Sequence, residues 1–321
     1  MVSVGRQIPI LNPTGRVERA AKRAARDMLR LRSSEQTSDD LTLTDAELHR
    51  LTGCHRIPFR PIDWPGAAAL PVLETPPRVY PRRDVARKAL AAYRPSWREL
   101  LFGNQSLRRR ELVARVLDAT TQDEADNEAA RRTVELNNRK QSFAAKVLEL
   151  ETAPVQEALA RCSTVDKVAD LVNAATLTVL GSGRAKATVE GLMLDDIPDE
   201  RLSGGMRTAM TTAQRNEVHL ASVCSIALRI GLEVLGALRL SKVCVLVQCE
   251  LVQNGASIGK QTVLEVTLSD SNLPVAEFLR SDPMSLVARL GGRLDWSPQT
   301  GFKPIWASAE SEPDAALAMA G

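Results

Sequence analysis

Apolar and polar positions follow two different rhythms along this chain, and the change falls near its middle. The first half reads as helical. Thr14 caps a predicted helix from about Gly15 to Arg32, with Val17, Ala20, Ala21, Ala24, Met28 and Leu31 near one face. The polar stretch Ser33 to Asp40 reads as a linker. A short helix capped by Thr44 follows and ends near Leu51-Thr52-Gly53. Asp84 to Tyr93 is a further helix, closed by Pro95, and Trp97, Leu100, Leu101 and Phe102 form an apolar cluster before Gly103. From Gln105 to Glu151 there is neither proline nor glycine. That span predicts one helix of about 70 Å at 1.5 Å per residue. Glu128 with Arg132, and Glu135 with Arg139, are acid-first pairs four residues apart. Apolar residues cluster at its two ends and thin out between Thr120 and Arg132. The pattern is too broken for a sustained heptad coiled coil, so the prediction is a helix packed at its ends and exposed in the middle.

Between the helical stretches lies a segment of another kind. Residues 56–81 hold seven prolines. Proline fixes φ and removes a backbone donor, so the segment is extended and irregular. Ile57, Phe59, Ile62 and Trp64 place bulky groups along it, which predicts docking rather than free solvation.

The second half alternates. Thr176 to Leu180 and Arg184 to Glu190 read as strands around a Gly-Ser-Gly turn, and Met206 to Met210 as a short strand. Thr164 to Ala174 reads as a short helix. Glu217 to Leu238 is an apolar helix whose Ile226, Ile230 and Val234 recur at helical spacing. Lys242 to Val252 and Gln261 to Leu268 are strand-like, with Val243, Val245 and Val247 on one face. Asn272 and Asp282 cap two further short helices, the second with Pro283 in its first turn. Helices and hairpins in this order predict an α+β protein: a helix-rich N-terminal half with one long helix, then an antiparallel sheet packed with helices. The expected organisation is a basic helical region at 1–52, a Pro-rich extended segment at 53–81, and a helical region at 82–162. An α+β domain at 163–306 and a disordered tail at 307–321 complete it.

Composition narrows the function classes. Of 321 residues only 3% are aromatic, so base-stacking platforms are disfavoured and the core must come from Leu, Val, Ala and Ile. No apolar run reaches the length of about 18 residues that a spanning helix needs; Ala221 to Leu240 comes nearest and is interrupted by Arg229, Glu233 and Arg239. The N-terminus lacks an apolar secretory core and reads as mature sequence. Cys54, Cys162, Cys224, Cys244 and Cys249 are odd in number and scattered, which suits reduced thiols in a cytoplasm. The Arg/Ala/Leu bias favours a bacterial source. Net charge is +3, yet residues 1–32 carry eight Lys or Arg against two acids. Arg16, Arg19, Lys22, Arg23, Arg26 and Arg30 on the predicted 15–32 helix are the candidate contacts to nucleic acid or an anionic surface.

The short motifs read as turns. Leu202-Ser203-Gly204-Gly205 matches the signature tetrapeptide of ABC-type ATPases. Its only companion, Gly255 to Thr262, is one residue short of a phosphate loop and leads into β-branched residues instead of a helix. Gly181-Ser182-Gly183 lacks the third glycine of a dinucleotide fingerprint. His49, Cys54 and His55 are too few to hold zinc, and His219 with Ser222, or Cys224, lacks the base and orienting acid of a nucleophilic site. Asp195, Asp196, Glu250 and Glu265 prompt comparison with metal-dependent nucleases, but no Glu-x-Lys follows on either strand. No catalytic residue, metal or cofactor is therefore assigned.

Several segments together resemble a family of uncharacterised bacterial proteins. They are Ile57-Pro58-Phe59-Arg60-Pro61-Ile62-Asp63-Trp64, Tyr93-Arg94-Pro95-Ser96-Trp97 with Leu101-Phe102-Gly103, the long charged helix, Val223-Cys224-Ser225 with Ala227-Leu228-Arg229, and Gly301-Phe302-Lys303-Pro304-Ile305. The resemblance implies a long helix followed by an α+β domain and carries no activity. The expected function is binding or assembly in the bacterial cytoplasm, through a protein partner or self-association. The alternative is an enzyme acting on nucleic acid with its site on the α+β domain.

Overall fold

The computed structural model describes residues 7–11, 42–58, 61–181, 183–253, 256–270, 278 and 280–306. The predicted 15–32 helix with its six cations, the linker after it, Phe59, the helix capped by Asn272 and the tail at 307–321 lie outside the described residues. The chain divides into two compact units, residues 1–64 with 146–321 and residues 65–145.

The first unit is α+β. Its elements are β1 (Gln7–Leu11), β2 (Thr42–Thr44), α1 (Asp45–Gly53), α6 (Thr152–Cys162), β3 (Ala174–Gly181), β4 (Arg184–Glu190), β5 (Glu200–Ser203) and β6 (Met206–Ala209). They continue with α7 (Thr212–Leu238), β7 (Lys242–Gln253), β8 (Ala256–Ser269), α8 (Pro283–Arg289), β9 (Arg293–Ser297) and β10 (Gly301–Lys303). The second unit holds α2 (Trp64–Ala68) from Pro65 onward, α3 (Pro81–Ala92), α4 (Trp97–Leu101) and α5 (Gln105–Leu148) as far as Ala145.

The main sheet runs β1-β3-β4-β7-β8-β9-β10. Both expected hairpins are present, β3 with β4 and β7 with β8. The sheet is mixed where antiparallel pairing was expected, because β4 and β7 lie side by side and parallel, Arg184 opposite Lys242. The connection from β4 to β7 passes through the β5–β6 hairpin and then α7, which returns the chain to the same end of the sheet and makes the joining strands parallel. The region expected to be basic and helical at 1–52 contains two strands among its described residues. β1 adds to β3 at the sheet edge, the position that tolerates Pro9, and β2 pairs in parallel with β5 in a small second sheet. The expected 164–174 helix is a 3₁₀ segment, Val165–Leu171.

Thr211 starts α7 with a capping box, its hydroxyl accepting from Gln214 N. Every residue from Leu220 to Leu238 is buried. Ile226, Ile230 and Val234 form the spine and face a strand on which Val243, Val245 and Val247 are equally buried. Gly231 lets the helix approach the sheet: a Cβ there would sit 2.7 Å from a methyl of Leu268. By length and composition α7 is able to cross a membrane, but its most apolar window is 94% buried, as in a core helix. Trp64 docks on its C-terminal turn, with the indole N–H donating to Ala237 O at 2.6 Å.

Candidate interaction surface

In the second unit α5 is continuous over the predicted span but stops at Leu148, and Leu150 takes a left-handed φ of 58°. Its middle is largely exposed, as expected, apart from one stripe. Thr120, Asp123, Asn127, Arg131, Val134, Asn138 and Gln141 recur at three and four residues, and all are covered to some degree. All of that stripe but Val134 is polar, and its Asp, Asn and Gln side chains meet peptide backbone. The Asn138 carboxamide accepts from Leu73 N at 2.9 Å and donates to Leu73 O at 2.8 Å. Three helical turns earlier, Asn127 makes the same double contact with Val79, at 3.1 and 2.8 Å. Asn137 donates to Pro71 O and Gln141 to Ala68 O. Asp123 accepts from the amides of Arg82 and Arg83, the first free donors of α3, whose N-cap Tyr80 offers no side-chain cap. The Pro-rich segment is thus strapped antiparallel along α5, and most of its side chains point to solvent.

Beyond the strap, α3 and the start of α5 form the walls of an open cleft of about 970 Å³. Arg87, Arg94, Arg109 and Arg110 line it, with Tyr93, Gln105 and Ser106. Among the described residues none of these four guanidinium groups has a carboxylate partner; the neighbouring Arg83 and Arg108 pair with Asp84 and Glu111. The turn that joins the walls carries α4. Ser96 caps it with Glu99 in a capping box, and the Ser96 amide is the chief cause that holds the Glu99 carboxyl below its usual range. Tyr93 donates to Glu99 at 3.4 Å. Beside the exposed Arg98, this turn displays large apolar side chains: Trp97 is 65% exposed, Leu101 71% and Phe102 74%, with Leu100 and Leu107 also exposed.

The charge pattern assigned basic character to the N-terminal end, and the structure adds this second locus. Its signal stands in the sequence: residues 81–115 hold ten Lys or Arg against three acids, with Arg108-Arg109-Arg110 at the centre.

The α+β unit presents its polar groups differently. Cys54, His55 and Ser225 meet in the core. Ser225 Oγ lies 2.8 Å from His55 Nδ1 and 3.1 Å from Cys54 Sγ, and accepts from the His55 amide. His55 Nε2 faces the Ser281 carbonyl, which only accepts, so the proton is on Nε2 and Nδ1 accepts from Ser225. This Ser–His pair is fully buried with no carboxylate on the ring, and burial lowers the His55 pKa. It satisfies core donors and acceptors. His219 does the same, donating to Leu192 O, and its pKa is lowered by burial. Burial pushes the Cys224 thiol up to about 12, consistent with a packing residue. Arg229 and Glu233, one turn apart on α7, form a buried ion pair that also binds Thr164 and the carbonyl of Ile57.

Of the four carboxylates weighed for nuclease chemistry, Asp195 and Asp196 share one 3₁₀ turn, while Glu250 and Glu265 occupy separate settings. Asp196 caps the 3₁₀ turn Leu194–Asp196 through Met193 N. Glu250 accepts from Ser257 near the β7–β8 turn, while Glu265 pairs with Arg293 and lies opposite Leu246, well along the ladder. Among the described residues no three His, Cys, Asp or Glu side chains gather in a metal-holding group. Gly204 and Gly205, with φ of 59° and 81°, make the tight β5–β6 turn, and Gly259 lies within β8, so neither segment opens a phosphate-binding helix. No known protein family, curated protein or solved structure matches the chain.

Proposed function

We propose that the chain is a binding or assembly protein of the bacterial cytoplasm, and that the helical unit carries its contact surface. One observation supports this most. Among the described residues, the large exposed apolar side chains concentrate in residues 65–145, and four of them sit together on the α4 turn. Scattered apolar exposure is ordinary, whereas a contiguous cluster marks a surface that something covers. The α+β unit buries most of its large apolar residues, and those it exposes are scattered along the sequence. The enzyme alternative requires Asp195, Asp196, Glu250 and Glu265 around one cleft, and the separate settings of Glu250 and Glu265 give it no support.

The test is the full chain against Leu100→Ser/Leu101→Ser/Phe102→Ser, compared by sedimentation velocity and by binding to itself, to a labelled duplex and to lipid vesicles. All three positions are exposed, so the variant should fold. Identical behaviour of the two proteins in every assay would refute the reading.

A further inference from the structure

Building on that reading, the geometry points to one occupant: we propose that the α4 turn and the arginine cleft beneath it dock on an anionic lipid bilayer. In this arrangement Trp97, Leu100, Leu101 and Phe102 enter the headgroup–acyl boundary, and Arg94, Arg109 and Arg110 meet lipid phosphates.

Three features converge on it. First, the chain leaves one cleft wall at Pro95 and returns to the other at Gln105, so the apolar turn is bounded by arginines on both sides. Second, the apolar groups are contiguous: Trp97, Leu100, Leu101 and Phe102 fall within six residues and each is more than half exposed. Third, the chemistry is split by depth. Tryptophan favours the interface, Leu and Phe the acyl region, and unpaired guanidinium groups the phosphate layer. Arg98 lies over the Trp97 ring, 5.3 Å from its centroid, which keeps a cation beside the ring that would sit at that level.

A nucleic-acid duplex satisfies only half of this surface. Its phosphates match the arginines but leave two leucines and a phenylalanine in water. A protein groove lined by acids would cover both, yet it needs a matched shape, whereas a bilayer takes any convex apolar turn with a cationic collar. The carboxylates facing the site, Glu99 and Glu111, are engaged by Ser96 and Tyr93 and by Arg108, so they do not cancel the collar.

The experiment is flotation of the full-length protein with phosphatidylcholine vesicles, with or without one-third phosphatidylglycerol, at low and high salt. Wild type should float only with the anionic vesicles, and less at high salt. Leu101→Ser/Phe102→Ser and Arg109→Gln/Arg110→Gln should each lower the partition coefficient about tenfold or more. A full-length variant with Arg16, Arg19, Lys22, Arg23, Arg26 and Arg30 changed to Gln is the comparator, and should keep the dependence on Leu101 and Phe102. Circular dichroism confirms that each variant is folded. The proposal is overturned if wild type ignores anionic vesicles at low salt, or if the two α4-region variants bind as wild type does. Should those variants instead lose duplex binding or self-association while vesicles are ignored by all, the bilayer falls and the binding surface stands. If they alter none of the three, both readings fall.

Discussion

The amide clamps on α5 make a quantitative claim about how the Pro-rich segment is held. Consider Asn127→Ala and Asn138→Ala, singly and together. Each removes two hydrogen bonds to one residue of the strap. A net bond contributes about 0.5–1.5 kcal/mol, and the freed groups of Leu73 and Val79 reach water, so no burial penalty is added. Each clamp is therefore worth about 1–3 kcal/mol of strap attachment. The two are about 16 Å apart along the helix at 1.5 Å per residue, so their effects should add to about 2–6 kcal/mol. Every 1.4 kcal/mol is about a tenfold change in opening, which two assays read directly. Hydrogen exchange at the Leu73 and Val79 amides should speed about tenfold in the matching single variant. Tryptic cleavage after the exposed Arg78 should accelerate further in the double variant, because the scissile bond adjoins the Val79 clamp. Asn127→Asp is the finer probe: it retains an acceptor for Val79 N but sets a second oxygen against Val79 O, so it should behave nearly as badly as alanine. Exchange and cleavage rates equal to wild type in the double variant would refute the reasoning.

Three further outcomes follow from the core. Arg229→Met leaves Glu233 buried without its cation and should cost about 3–5 kcal/mol in urea unfolding, while Arg229→Met/Glu233→Leu should recover much of that; equal stability of the two variants would contradict it. His55 and His219 have pKa values lowered by burial, so both are neutral in the folded state and the unfolded chain binds protons first. Stability is then fully present above the unfolded histidine value of about 6.5 and declines as pH falls below it, by up to about 1.4 kcal/mol per pH unit for each ring; a flat stability profile from pH 7 to 5 would rule it out. In the native protein a disulfide-exchange reagent should titrate Cys162 first, since it alone of the five is partly exposed, while burial pushes Cys54 and Cys244 up to about 11 and Cys224 and Cys249 up to about 12. Rapid labelling of Cys224 in folded protein would reverse its assignment as a packing residue.

Much of this architecture is legible in single residues. The lack of Gly and Pro across α5, the Ile226–Ile230–Val234 spacing, the alternating valines of β7 and the Asp282-Pro283 start of α8 each act locally, and local signals survive without an alignment. What escapes is non-local. The parallel pairing of β4 with β7 depends on where a 27-residue helix returns the chain. β2 finds β5 from the far end of the sequence, and β1 is a five-residue edge strand broken by Pro9. The stripe on α5 is invisible to a search for apolar periodicity because every member except Val134 is polar. The basic cleft is different: its charge run is plain in the sequence, but only the return of the chain at Gln105 shows that the cations face one space beside an apolar turn.

The completeness with which α7 is enclosed also has a consequence for biosynthesis. Translation proceeds from the N-terminus, so this helix leaves the ribosome before β7 and β8, the strands that cover its apolar side. For that interval the nascent chain displays a segment with the length and hydropathy of a membrane anchor. The same Arg229 and Glu233 that lie paired in the finished core then stand in the middle of that segment, and ionised groups there weigh against insertion into a bilayer. In the unfinished chain these two charges thus weigh against membrane insertion until the sheet closes over them.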